Sequence, residues 1–197
     1  MNLPNQPKRF AGSSVTSLEI RLLTKEDDRS GFSSGNVALD TFFHKYAGQN
    51  QFRHKVGVTY VAVDLGRIIG YVTISAGSIN PRHVAAMKLP PYDAPALFLG
   101  RMAVSQSSQG NGVGSALLRF VCCRAVQMSH DYGCVGILVD SKPDAVGFYG
   151  KYGFVPFEYE DVTRSEQQTM ILKISAVEKL VSPSASATLS AAAPRTR

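Results

Sequence analysis

The stretch Leu99-Gly100-Arg101-Met102-Ala103-Val104, then Gln109-Gly110-Asn111-Gly112-Val113-Gly114, then a long amphipathic run, limits what this chain can become more than any other segment. It reads as a β-strand, a glycine-rich turn and the start of a helix. Glycines at alternate positions let backbone N–H groups approach a bulky anion without Cβ interference. The helix that follows adds partial positive charge at its N-terminus. The combination is a pyrophosphate cradle. Other phosphate patterns fit less well. A Walker loop requires Lys directly after its glycines, and none follows Gly114. A dinucleotide fingerprint requires Gly-x-Gly-x-x-Gly with an acidic residue about 20 positions on. Here the last glycine spacing is wrong and Asp140 comes late. The competing reading is a tight turn that binds nothing. A second cluster, Phe148-Tyr149-Gly150-Lys151-Tyr152-Gly153-Phe154, weighs against it.

The rest of the chain is ordinary for a folded domain. It has 197 residues, 44% of them hydrophobic and 18% charged, enough for one domain with a real core. No apolar run approaches the ~20 residues that span a bilayer. Lys8 and Arg9 have no apolar run behind them, so the first residues do not read as a secretion signal, and a cytoplasmic location is expected. Cys122, Cys123 and Cys134 lack framework spacing and read as small buried apolar side chains. His44, His54, His83 and His130 are scattered, and no metal is expected. Lys and Arg outnumber Asp and Glu by 21 to 15, a net charge of +6 that suits an anionic partner.

Periodicity predicts a strand over 18–23 and a turn over 32–36 that caps a helix. In that helix Leu39, Phe42, Phe43 and Tyr46 form one apolar face, with Lys45, Arg53, His54 and Lys55 on the polar face and following turn. Two β-branched runs, 56–63 and 68–74, read as a hairpin. A polar connection follows over 78–95. Next come a strand over 96–104, a helix over 112–131, a strand over 135–139 and a short helix over 143–152. Val113, Leu117, Leu118, Val121 and Ala125 mark the buried side of the longer helix. Strands over 154–159 and 169–174 close the domain. The expected organisation is a flexible segment over 1–17, one domain over 18–175 and a disordered tail over 182–197 rich in Ser, Ala, Pro and Thr. The order places a βαβ unit around the glycine turn, as in a mixed α/β sheet.

Gln109, Gly112 and Gly114 satisfy Gln/Arg-x-x-Gly-x-Gly/Ala, and Phe148 to Phe154 satisfies Phe-Tyr-x-x-x-Gly-Phe. In both respects the chain resembles the GCN5-related N-acetyltransferases (GNATs). That resemblance implies a mostly antiparallel α/β sheet with flanking helices, and acetyl-CoA as acetyl donor. It implies that the pantetheine arm pairs with the main chain of Met102 and Val104, along a strand splayed from its neighbour, with Ala103 between them also in the cofactor site. The phosphates would sit on Gln109, Gly110, Asn111, Gly112, Val113 and Gly114, beside Phe148. The N–H near Val104 would meet the oxyanion, and Tyr149 would protonate the departing thiolate. By spacing alone Tyr149 could equally pack beside Phe148; Tyr152 is its rival. One departure is Lys142, where the family usually has Asn. It reads as a solvated surface residue or a phosphate contact.

No Asp, Glu or His stands out as a general base. A lysine amine has a pKa of ~10.4, whereas an α-amino group titrates near ~8. An esterified α-amino acid should titrate lower still, so an aminoacyl ester needs little help to deprotonate. The segment Phe32-Ser33-Ser34-Gly35-Asn36 to Phe43, with Gly70 to Gly77 and Leu99 to Val104, is similar to the TacT/AtaT-type toxins of bacterial toxin–antitoxin modules. This resemblance implies acetylation of aminoacyl-tRNA, a block to translation, and neutralisation by a ribbon–helix–helix antitoxin. A homodimer is also among the expected assemblies. Lys45, Arg53, Lys55, Arg82 and Lys88 are the expected tRNA contacts. Two alternatives stay open: an N-acetyltransferase for a small amine or protein N-terminus, and a non-catalytic acyl-CoA-binding module.

Overall fold

A computed structural model describes residues 18–81, 87–156 and 167–182. Its centre is a sheet of seven strands. Strands β1 (Glu19–Leu22), β2 (Val58–Asp64), β3 (Arg67–Ile79) and β4 (Ala94–Val104) follow one another in antiparallel register. Strand β5 (Gly136–Ser141) joins β4 in parallel. Beyond it lie β7 (Gln168–Lys173) and then β6 (Val155–Pro156), both antiparallel to their neighbours. The fold is thus the mixed, mostly antiparallel α/β sheet expected. The one parallel step is the crossover through helix α2 (Val113–Asp131), as a βαβ unit requires.

Each face of the sheet carries its own core. On one face lies α2, whose Val113, Leu117, Leu118, Val121 and Ala125 are buried as the periodicity predicts, together with Cys122 and Met128. Full burial of each large aliphatic side chain contributes roughly 1.5–3 kcal/mol. Helices α3 (Val146–Gly150) and α4 (Ile174–Val181) pack into the same core through Tyr149 and Val177. The opposite face is covered by α1 (Val37–Thr41) and the segment after it. Here Phe43 stacks on Tyr71 with centroids 4.3 Å apart, and Phe32 meets both rings edge-on. The Tyr71 hydroxyl donates to the Leu39 carbonyl at 2.9 Å, tying α1 to β3.

Several local expectations change once long-range contacts are present. The first helix is α-helical only over Val37–Thr41, then widens into π-helical turns over Phe42–Tyr46 and Gln49–His54. Wider turns shift the phase of the apolar face. Phe43 is therefore fully buried while Tyr46 is 48% exposed. Strand β3 runs on to Ile79, since Ser78 and Ile79 pair with Pro95 and Ala94, and much of the expected connection is sheet. The α3 segment holds only one α-helical turn, flanked by turns. Helix α4 was not anticipated, although Ile174, Val177 and Val181 repeat at helical spacing. Of the cysteines, Cys122 and Cys134 are buried but Cys123 is exposed, one residue round the helix from its buried neighbour. The expected N-terminal segment 1–17, the tail beyond 182, His83 and residues 157–159 lie outside the described residues.

Candidate active site

The site begins with an irregularity in β4. Thr73 lies opposite Arg101 and Ile74 opposite Leu99, so Gly100 is an extra residue on β4. A bulge of this kind bends the strand that carries it. Strand β5 keeps register with β4 only from Leu97 to Leu99, and beyond Gly100 the two strands no longer pair. Ser105 N–H donates to the Ile69 carbonyl at 2.9 Å. By the alternation of an antiparallel ladder, the amides of Arg101 and Ala103 then face β3, and those of Met102 and Val104 face the gap.

This gap is a cleft of about 580 Å³. Met102, Ala103, Val104, Gln109, Gly114, Phe148 and Tyr149 line it. Gly110, Asn111, Gly112 and Val113 do not. Val113 points into the core, and the other three form the turn at the cleft's end. Gly110 and Gly112 have φ of 81° and 83°, the left-handed region that favours glycine. Gly112 therefore precedes the helix rather than sitting in it. Gly114 lies inside α2, and a Cβ there would touch Phe148 and Val104 at 3.7 Å, ordinary contact. Outward-facing amides ending at a glycine turn and a helix N-terminus fit an extended thioester carrier with a pyrophosphate. Gln109 has a further job. Its amide donates to the carbonyls of Ser34 at 2.9 Å and Val104 at 3.1 Å, clamping the end of β4 to the turn before α1.

Tyr149 is only 6% exposed, yet its side of α3 reaches the cleft. Phe148 and Phe154 hold its ring edge-on. Burial pushes its phenol well above the ordinary value, so it stays protonated. Among the described residues its hydroxyl makes no hydrogen bond, whereas the Tyr152 hydroxyl pairs with Ser115 Oγ at 2.6 Å. Tyr152 does not line the cleft.

The other wall was less legible. Ser34, Asn36, Ala38 and Leu39 line the cleft from the α1 side. Asp40 holds that turn, accepting from the Ser34 N–H at 2.8 Å and the Ser34 hydroxyl at 2.6 Å. Lys142 is not a solvated surface residue: it lines the cleft half-buried and donates to Asn36 Oδ1 at 3.2 Å. The same oxygen caps α1 by accepting from Leu39 N–H. Arg101, Asp140, Asp144 and Gln167 were also missed as cleft residues. Their signal is weak in sequence, because only the β4–β5 divergence brings them together. Lys45, Arg53, Lys55 and Lys88 are exposed and line no part of the cleft, and Arg82 lies outside the described residues. Among the described residues no cluster of His, Cys, Asp or Glu suited to a metal occurs, and no helix is long and apolar enough to cross a membrane.

Residues 55–156 match the acetyltransferase (GNAT) domain. The chain belongs to the GNAT family. It is 34% identical over 139 residues to the tRNA-acetylating toxin of Mycobacterium tuberculosis, spanning 68% of this chain and 82% of that protein. Among solved GNAT structures it resembles AtaT complexed with acetyl-methionyl-tRNAfMet, at a TM-score of 0.74 and 23% identity over 84% of this chain and all of that one. It likewise resembles a tyrosine-to-phenylalanine variant of AtaT bound to the C-terminus of the antitoxin AtaR and acetyl-CoA, with TM-score 0.69 and 22% identity over 84% and 99% of the two chains. The GNAT fold of this chain thus matches that of the TacT/AtaT-type toxins, as the Phe32 to Phe43 segment implied.

Proposed function

We propose that this protein transfers an acetyl group from acetyl-CoA to the amino group of aminoacyl-tRNA, and so blocks translation. The observation that carries the reading is the identity with a tRNA-acetylating toxin across four-fifths of that protein's length, 82%, by a chain whose cleft has the parts the transfer needs. The donor supplies an activated acyl carbon as a thioester. The residues of this chain do the rest. Met102 and Val104 offer main-chain groups along the cleft, Gly110 to Gly114 receive the phosphates, and Val104 N–H meets the carbonyl oxygen as it gains charge. The acceptor nitrogen forms its bond to the acyl carbon, the C–S bond breaks, and Tyr149 gives its proton to the departing sulfur. The proton lost by the amine goes to solvent, and solvent returns one to Tyr149 to complete the cycle. An α-amino group esterified to tRNA is largely neutral near pH 7–8, so no side chain has to act as base.

A ribbon–helix–helix antitoxin is the proposed partner, since relatives of this fold include toxins solved with their antitoxin. The deciding experiment supplies the purified protein with labelled acetyl-CoA and total charged tRNA. Label should appear on aminoacyl adducts released from tRNA, and expression of the chain alone should arrest growth. If tRNA stays unlabelled while small amines or peptide N-termini accept the label, the substrate is of the ordinary N-acetyltransferase kind.

A further inference from the structure

Past Val139 the sheet no longer holds the two walls of the cleft together. Strand β5 pairs with β4 only where Ile137, Leu138 and Val139 meet Leu97, Phe98 and Leu99. Yet the transfer needs the end of β4, with the Val104 amide, and the α3 segment, with Tyr149, at a fixed separation. A reacting group misplaced by about an ångström loses much of its effect. Side chains supply the link that the ladder does not.

This link runs round the α1 side of the cleft. At the β4 end, the Gln109 amide bonds the Val104 and Ser34 carbonyls, and Gln106 N–H donates to Ser33 O at 2.9 Å. The turn before α1 is thereby fastened to β4. Within the turn, Asn36 N–H donates to Ser34 Oγ at 3.3 Å, and Asp40 accepts from Ser34. On the far wall, Lys142 donates to Asn36 Oδ1 at 3.2 Å, while its own carbonyl accepts from the Ala145 and Val146 N–H groups at 2.9 and 3.2 Å. Those two bonds open the turn that becomes α3. Pro143 follows directly and biases the Lys142 backbone to extended conformations. One residue thus holds the α1 N-cap with its side chain and the Tyr149-bearing segment with its backbone. Asp140 and Asp144 line the same cleft, but among the described residues neither makes an ion pair with the Lys142 ammonium, which is turned to Asn36.

We infer that Lys142 is a positioning residue: through Asn36 it fixes Tyr149 relative to the end of β4, and so aligns the acid with the sulfur it protonates. The inference rests on the proposed role of Tyr149 as that acid, and it holds whichever amine is the acceptor.

Two double-mutant cycles on the full chain test it, with turnover measured on charged tRNA, or on a small amine if that is what takes the label. Lys142→Met keeps the reach of the side chain and removes the donor. Asn36→Ser keeps an N-cap for α1 but withdraws the oxygen from Lys142. Each should lower kcat about tenfold and leave acetyl-CoA affinity within about twofold of wild type. Combined, they should cost no more than either alone, because both cut one link. Lys142→Arg should restore most of the rate. In the Tyr149→Phe background, Lys142→Met should cost nothing further. A second loss of about tenfold there would mean that Lys142 does not act through Tyr149, and it overturns the inference. So does a wild-type kcat for Lys142→Met beside a slow Tyr149→Phe, an outcome that leaves the acid in place. A fall confined to acetyl-CoA affinity also overturns it, by assigning the ammonium to the donor. If Tyr149→Phe itself turns over like wild type, the acid assignment fails and the positioning role falls with it.

Discussion

A tyrosine gripped by Phe148 and Phe154, with a phenol raised by burial, keeps its proton across the whole range in which an α-amine becomes reactive. Tyr149→Phe removes one hydroxyl and leaves that packing in place. Turnover should fall by roughly 10²–10⁴-fold, the usual worth of a positioned acid, with acetyl-CoA affinity and melting temperature close to wild type. Unchanged kcat in single-turnover assays would reduce Tyr149 to packing. The glycines of the turn need to be treated separately. At Gly112 any side chain meets the left-handed backbone at φ 83°, costing about 1–2 kcal/mol regardless of ligand. Gly114 has room for a Cβ and lies on the cleft wall. Gly114→Val should therefore weaken acetyl-CoA binding in calorimetric titration while barely moving the melting temperature. Equal affinity would remove the start of α2 from donor binding.

Among the elements, the end of β4 depends on a side chain that the family resemblance placed in the cofactor site. Gln109 bonds the carbonyls of Ser34 and Val104, so it joins the α1 turn to the strand that forms the cleft. Gln109→Ala leaves both carbonyls without that donor. Chemical denaturation should show a loss of about 0.5–1.5 kcal/mol, since water can reach the freed carbonyls, and acetyl-CoA affinity should fall with it. At the other edge of the sheet, Arg21 on β1 makes a two-pronged contact to Asp27, at 2.9 and 2.7 Å. That hydrogen bonding from Arg21, aided by the Thr24 N–H, holds the Asp27 carboxylate below the usual range against the opposing effect of burial. A lowered carboxylate pKa stabilises the fold above the unfolded value, about 3.9, and the stabilisation is lost as pH falls through the folded value. Thermal melts should show Arg21→Gln less stable than wild type at pH 7, with the gap closing below pH ~4. A gap that persists in acid would mean Arg21 acts by packing.

For the molecule as a whole, the decisive join is the meeting of β4, β5 and β7. A Cβ at Gly136 would lie 2.5 Å from the Leu172 carbonyl oxygen, at the end of the β5–β7 ladder, where the clash is with backbone rather than with a flexible side chain. Gly136→Ala should lower stability by about 1–3 kcal/mol or more, the range for overpacking, and widen the thermal transition. A variant as stable as wild type would show that β7 slides relative to β5. Much of this architecture was legible along the chain. Amphipathic spacing located α2 and its buried face, the Asp64 to Arg67 turn located the β2–β3 hairpin, and the glycine turn located the start of α2. Each of these is written in neighbours a few residues apart, and local sterics enforce them wherever the chain goes. Which of Tyr149 and Tyr152 lines the cleft, the place of Lys142 in the cleft wall, the length of β3 and the π-helical widening after α1 were not legible in that way. They depend on contacts between residues far apart in sequence, up to the 106 positions between Asn36 and Lys142. Such contacts exist only once the bulge at Gly100 has parted β4 from β5, and no periodicity encodes where two diverging strands will bring their side chains together.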